Sequence, residues 1–345
     1  MAASNKEKIL IVGPAWVGDM VMAQSLFIDL HQRLSNIEIH VLAPAWTAAL
    51  IERMPEVTSL VKADFVHGKL GLSSRFKLAR QIKSMGFDRA IVLPNSLKAA
   101  LVPWLAKIPV RTGWVGEQRW FMLNDVRRLD KKKWPMTVQR FIALGEKKLA
   151  QVRELDTVPA PKLVVDDKNV KATRDAIGLH SDAPVLALCP GAEFGRSKQW
   201  PPEYFASVAN SHLRNGWQVW ILGSDKDLAV AVEINNLCQA RCEVLTGKTS
   251  LPQATDLLSC ATLVVSNDSG LMHIAAALQI PLVAVYGSTD PGHTPPLSKN
   301  HQIAQLSLEC QPCFKRECPL QHHNCMKKLL PENVKQQLST LVHAV

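Results

Sequence analysis

The run TLVVSNDSGLMHIAAAL at residues 262–278 constrains the fold more than any other stretch of this chain. Residues 262–265 are short, apolar and β-branched, as in a buried strand. Asn267, Asp268, Ser269 and Gly270 read as a polar turn, and Leu271, Ile274, Ala275 and Leu278 follow at helical spacing. A strand that stops in such a turn and opens a helix leaves backbone N–H groups unpaired, with the helix dipole behind them. That arrangement seats a phosphate, through N–H groups rather than through Asp268 itself. Asn, Asp and Ser are also ordinary N-cap residues, so the turn alone leaves both readings open.

The rest of the chain repeats the pattern. Residues 8–13 (KILIVG) read as a first buried strand, 14–19 as a loop and 20–34 as a helix. Strands follow at 37–42 and 87–93, with a basic amphipathic helix at 73–85 between them. The pattern loosens after 134–148, and 156–161 (DTVPAP) has the look of a linker. Alternation restarts with strands at 184–189 and 217–222, a short segment near 242–245 and a final strand at 281–286. The intervening helices lie near 203–214, from 225 and at 251–260, and a last one spans 331–342, opening on proline. Strands alternating with helices predict parallel βαβ units. The expectation is an α/β chain of two Rossmann-like domains, 1–160 and 161–345, binding ligands at the carboxyl ends of strands in the cleft between them.

A length of 345 residues and 47% hydrophobic content allow two cores, and mean hydropathy is +0.01. The apolar run that opens the chain is too short for a signal peptide, and none reaches the ~18 residues of a membrane span. A cytoplasmic location is expected. Residues 1–150 hold 23 Lys and Arg against 12 Asp and Glu, whereas the remainder holds 17 against 18. The whole positive excess of the chain therefore lies in the first half, which should attract polyanions such as anionic lipid or a phosphorylated glycolipid. No zinc-finger, RRM or KH signature supports nucleic acid as the partner.

Several strand ends carry groups capable of chemistry. Asp19 follows the first strand, where a carboxylate can take a proton from a hydroxyl or simply cap the next helix. In CPGAEFGRSKQWP (189–201), two glycines allow close approach to a ligand, and Lys198 supplies positive charge for a leaving diphosphate or is merely solvated. His273 lies one helical turn past Ser269, facing the same anion or packed in the core. Ser288 and Thr289 end the next strand and offer hydroxyl contacts.

Six segments together resemble the lipopolysaccharide heptosyltransferases: PAWVGDM (14–20), VLPNSLKAALVPW (92–104), RTGW (111–114), PGAEFG…KQWP (190–201), NDSGLMHIAAAL (267–278) and YGSTDP…TPPL. The resemblance runs in order from about residue 8 to 297. It implies a GT-B fold, two Rossmann-like domains with parallel sheets facing across a central cleft, the acceptor on the first and the nucleotide sugar on the second. It implies an inverting transfer of L-glycero-D-manno-heptose from ADP-heptose to heptosyl-Kdo2-lipid A, by a monomer peripheral on the cytoplasmic face of the inner membrane. Carried over by position, Asp19 is the general base. Lys198 and the turn Asp268, Ser269, Gly270 hold the diphosphate, His273 supports it and Ser288 adds a contact. Asp225, or Asp227, meets the ribose, and Thr249 and Leu251 cradle adenine. Lys98 and Arg111 are candidates for acceptor phosphates or carboxylates. Fixed donors meet the departing charge, so no catalytic cofactor or divalent ion is expected. Alternatives are a sister heptosyltransferase, a nucleotide-sugar epimerase on the same scaffold, and a non-catalytic protein docking through its basic half.

Outside this frame, Cys310, Cys313, Cys318 and Cys325 crowd half of the eight cysteines into 16 residues, with His322 and His323 among them. Thiolates so spaced suit a structural zinc in a reducing compartment. An unmetallated loop and a redox pair stay open.

Overall fold

The structure, a computed structural model, describes residues 6–63 and 71–342. The chain divides into two compact units, Met1–Pro161 and Lys162–Val345.

The first unit contains strands β1 (Glu7–Val12), β2 (Ile37–Pro44), β3 (Ser59–Ala63), β4 (Arg89–Val92), β5 (Val110–Trp114) and β6 (Asp125–Arg127). Its helices are α1 (Val17–Arg33), α2 (Ala48–Ile51), α3 (Leu72–Ser84), α4 (Leu97–Leu105) and α5 (Thr137–Gly145). The strands form one parallel sheet in the order β3-β2-β1-β4-β5-β6. Ile9, Leu10 and Ile11 at its centre are fully buried. Helices cover both faces of such a sheet, so its central strands are apolar throughout rather than alternating.

The second unit contains α6 (Asp167–Ile177), β7 (Val185–Cys189), α7 (Pro202–Leu213), β8 (Gln218–Ile221), α8 (Leu228–Leu237) and β9 (Glu243–Val244). It continues with α9 (Leu251–Leu258), β10 (Leu263–Asn267), α10 (Gly270–Ala277), β11 (Leu282–Val285), β12 (His301–Ala304), α11 (Asn324–Lys327) and α12 (Pro331–Val342). The sheet order is β12-β11-β10-β7-β8-β9, again all parallel. Counted within the unit, this is the same winding as the first sheet. The sequence pattern ends this sheet at 281–286, but β12 adds a further strand at its edge. β12 (HQIA), like β6 (DVR) and β3 (SLVKA), is short and partly polar, so no apolar run announces it. Such edge strands are buried on fewer sides.

Two buried arginines close the last helix of the first unit. α5 ends at Gly145 without a left-handed glycine cap, and Glu146 takes the cap position in an extended conformation. Arg89 donates from Nη1 to Gly145 O at 2.9 Å and from Nη2 to Leu144 O at 2.8 Å and Glu146 O at 2.7 Å. Arg127 donates to Ala143 O at 2.8 Å and Glu146 O at 2.7 Å. The cations satisfy orphan carbonyls at the negative end of the helix dipole. Burial, then the neighbouring Arg127, lowers the Arg89 pKa to about 10, which still leaves it charged at neutral pH. Arg89→Met should therefore destabilise the first unit by about 3 kcal/mol, since it strands buried carbonyls that now accept charged bonds. Urea denaturation of the full chain measures this.

Candidate functional site

In a doubly wound sheet the strand order reverses at one point, and ligands bind outside the carboxyl ends of the strands there. In the second unit that point lies between β7 and β10. The loop leaving β7 carries Lys198, at the end of a short 3₁₀ turn over Arg196–Lys198. The turn leaving β10 carries Asp268, Ser269 and Gly270.

These two loops are joined by charge. Lys198 Nζ donates to Asp268 Oδ2 at 2.6 Å, and Thr289 Oγ1 donates to the same oxygen at 2.6 Å. Asp268 is 4% exposed, so its charge depends on these partners,. The ammonium also lies 5.0 Å from the centre of the Phe194 ring,. Asn267 ties the backbones together: it accepts from the Trp200 N–H at 3.2 Å and donates to Pro190 O at 2.7 Å. Asp268 thus acts by holding Lys198 in place. An ammonium has three N–H donors, so the pair leaves Lys198 capacity for an anion.

Ser269 is the N-cap of α10 but makes no side-chain cap bond; its hydroxyl lies 3.2 Å from that of Ser266. Ser269 thus occupies the cap position that the ordinary-cap reading expects, but its hydroxyl makes no bond to the first N–H groups of α10. His273 is buried on the same helix. Burial pushes its pKa down to about 4, with Asp268 opposing and Lys198 adding to the fall. It is a neutral imidazole at pH 7 and offers a hydrogen bond, not charge. Ser288 is buried too, and its Oγ lies 2.8 Å from Ser197 Oγ.

The neighbouring strand ends carry the remaining residues of this half. Asp225 is exposed just beyond β8, and a Cβ on Gly247 would fall 2.6 Å from its Oδ1. Gly247 has a φ of +74°, so glycine serves both its conformation and this approach,. Asp227 is used locally instead: its Oδ2 accepts from the Ser224 N–H at 2.9 Å and the Ser224 hydroxyl at 2.8 Å. Thr249 and Leu251 follow β9, the latter opening α9.

In the first unit the order reverses between β1 and β4. Asp19 lies half-buried in the first turn of α1, whose N-cap is Trp16, so it is not the cap residue. Lys98 lies in the first turn of α4, beyond β4. The intervening loop is organised by Arg119, which is fully buried and donates to Ser96 O at 3.2 Å, Asn95 Oδ1 at 3.0 Å and Trp114 O at 2.9 Å. Asp19 and Lys98 therefore flank the switch point of this sheet. Arg111 does not. It is the second residue of β5, at the opposite end of the strand, and it donates from Nε to Met122 O at 2.6 Å and from Nη1 to Ile108 O at 2.5 Å. The acceptor role expected of it gives way to a structural one. Sequence reasoning missed Arg119 and the seat's Phe194, although PGAEFG was among its motifs.

The cysteine segment packs behind the second site. Cys310, Cys313, Cys318 and Cys325 line one small cavity together with Ser197 and Ser288. All are free thiols. Among the described residues, no group of three or more His, Cys, Asp or Glu side chains is set to hold a metal ion as it stands.

Two doubly wound parallel units with charged groups at both switch points describe an α/β glycosyltransferase of the GT-B class. The profile of Glycosyltransferase family 9 (heptosyltransferase) matches residues 75–324. Lipopolysaccharide heptosyltransferase 2 of Escherichia coli (strain K12) is 42% identical over 343 residues, covering 97% of this chain and 98% of that one. Lipooligosaccharide heptosyltransferase 2 of Haemophilus influenzae is 40% identical, over 97% of this chain and 99% of its own. The solved structure of E. coli ADP-heptose lps heptosyltransferase II matches with a TM-score of 0.86 at 40% identity, over 98% of this chain and 99% of that one. This chain belongs to glycosyltransferase family 9, the heptosyltransferases. Neither a nucleotide-sugar epimerase nor a non-catalytic docking protein describes it.

The buried imidazole has a consequence for acid stability. With a folded pKa near 4 against an unfolded value of 6.5, the native state binds fewer protons between these limits,. His273 then contributes up to about 3 kcal/mol above pH 6.5, lost as the pH falls toward 4. His273→Gln should flatten that limb of the stability–pH curve in urea titrations from pH 7 to pH 4.

Proposed function

We propose that this chain transfers L-glycero-D-manno-heptose from ADP-heptose to heptosyl-Kdo2-lipid A, adding the second heptose of the lipopolysaccharide core. The observation that carries the reading is the Lys198–Asp268–Thr289 cluster beside the uncapped start of α10. It supplies fixed donors where a diphosphate leaves. The choice of acceptor rests on the near-full-length similarity to relatives named heptosyltransferase 2.

In this reading the second unit holds the donor. Lys198 and the N–H groups from Ser269 and Gly270 meet the diphosphate, with neutral His273 and Ser288 behind them. Asp225 contacts the ribose, and Thr249 and Leu251 border the adenine. The first unit holds the acceptor. Asp19 takes the proton of the acceptor hydroxyl as its oxygen attacks the anomeric carbon. The carbon–oxygen bond to ADP breaks on the opposite face, so the configuration inverts. The transition state has oxocarbenium character: positive charge spreads over the anomeric carbon and the ring oxygen while negative charge develops on the departing diphosphate. Lys98 pairs with an anionic group of the acceptor.

ADP release measured with mono-heptosylated and heptose-free core lipid tests the acceptor: only the former should support turnover. Asp19→Ala should lower that turnover about 10³-fold while ADP affinity stays within a few-fold. Lys198→Ala should weaken ADP binding by at least about tenfold. Comparable turnover in the Asp19 variant removes it as the base.

The same unit offers a surface suited to the lipid end of the acceptor. Between α3 and α4, Leu72, Phe76 and Trp104 form an exposed apolar groove edged by Lys77 and Arg80. Exposed Phe121 packs edge-on against Trp104 and Trp120. Aromatic and basic residues on one face suit the interface of an anionic bilayer, and no helix among the described residues is long and apolar enough to cross one,. We read this face as the membrane contact. Lys77→Ala with Arg80→Ala should reduce partitioning onto anionic vesicles roughly thirtyfold, at about 1 kcal/mol per basic residue. Binding to neutral vesicles should be weak for both proteins. Equal sedimentation of parent and variant with anionic vesicles counts against this face.

A further inference from the structure

We propose that Cys310, Cys313, Cys318 and Cys325 bind one zinc ion, and that this ion fixes the segment that buttresses the Lys198 loop. The argument begins with the cavity. The four cysteines, drawn from spacings of two, four and six residues, all line one space of about 20 Å³. That is room for a single water-sized body. Such a cavity lined by aliphatic side chains would be ordinary packing, but here four of the lining side chains are thiols and two more are the hydroxyls of Ser197 and Ser288. Four thiolates are the ligand set that a tetrahedral structural zinc takes, at Zn–S distances of about 2.3 Å.

His322 also borders the cavity, with Nδ1 4.0 Å from Cys318 Sγ. Its Nδ1 already accepts the Asn324 N–H at 3.0 Å, which favours four sulfur ligands over three sulfurs and that nitrogen. On binding, each thiol releases its proton to solvent, and four thiolates with one zinc carry a net charge of 2−. Lys315 and Arg316 lie within the same segment to offset it.

The segment's backbone reaches the donor seat directly. The Phe314 N–H donates to Ser288 O at 2.8 Å, and the Ser197 N–H donates to Arg316 O at 3.0 Å. Gln311 Nε2 donates to Gly287 O at 2.6 Å. Arg316 lies against Phe194, the ring that also carries Lys198. Gly195 has no room for a Cβ, because it would run into Arg316 O. A ligated ion would therefore hold in register the residues on either side of Lys198.

The test uses the full chain, incubated with zinc under reducing conditions, desalted and analysed by mass spectrometry for bound metal. About one zinc per chain is expected. Cys313→Ser with Cys318→Ser should lower the content at least tenfold, while Cys260→Ser, outside the segment, should retain it. Should the double variant fail to fold, thiol titration of the parent decides: zinc should protect four thiols, and a chelator should expose them. Zinc below one-tenth of an equivalent in the parent would overturn the site. So would undiminished zinc in the double variant, or thiol reactivity indifferent to zinc. The buttressing arm rests on the donor reading above and is scored separately. Chelation should weaken ADP binding severalfold in the parent but not in a folded double variant, and an unchanged parent affinity would overturn the buttress. Metal content does not depend on what the seat binds, so failure of the site and failure of the donor reading can be told apart.

Discussion

An ion pair between a half-buried lysine and a buried aspartate governs the second unit. Taking an ammonium and a carboxylate out of water costs several kcal/mol per ion, recovered only where the geometry is good and other partners complete the set. The partners here are the Thr289 hydroxyl on Asp268 and the Phe194 ring beneath Lys198. They come from the loops after β7 and β10 and the strand end after β11. The pair can therefore form only when the sheet is wound in this order. Its result is a cation held at the switch point without solvent reorganisation, the arrangement in which fixed charge is worth most to a developing anion. The fall in the His273 pKa belongs to the same economy. The imidazole stays neutral chiefly because it is buried; Asp268 opposes the fall and Lys198 adds to it.

The first unit repeats the winding but spends its charge differently. Its sequence carries the whole positive excess of the chain, and part of that excess lies inside. Arg75, Arg89, Arg119 and Arg127 are buried and donate to backbone carbonyls, closing α5 and shaping the loop before α4. The rest is outside, where the exposed side of α3 mixes Lys77 and Arg80 with Leu72 and Phe76. An amphipathic helix ordinarily turns such apolar residues inward. Here the buried face is already supplied by Arg75, Ala79 and Ile82, so the outer apolar residues form a second stripe,.

The cysteine segment shows the same economy of partners. Few regular elements hold residues 305–330, yet their main chain is bonded to the loops around Ser197 and Ser288. A stretch with little secondary structure must satisfy its backbone groups elsewhere, and here part of them go to the loops beside Lys198 and after β11,.

Much was legible in the residues alone because the signals are local. The strand, polar turn and helix around Asp268, the buried strands β1, β7 and β11, and the α/β class all follow from apolar runs read against turn residues. Short, polar edge strands such as β6 and β12 carry no such signal and appear only as partners of a neighbour already in place. Side-chain assignments divide on the same line. That Asp19, Lys98 and Lys198 follow strands could be read from the order of elements. That Arg111 turns to carbonyls at the wrong end of β5, and that Asp268 clasps Lys198, could not. The sequence determined where the central strands and the long helices lie, because that depends on neighbours a few residues away. The tertiary structure decided which charges meet, because Lys198 and Asp268 lie 70 residues apart and are joined only by the crossing of the sheet at its switch point.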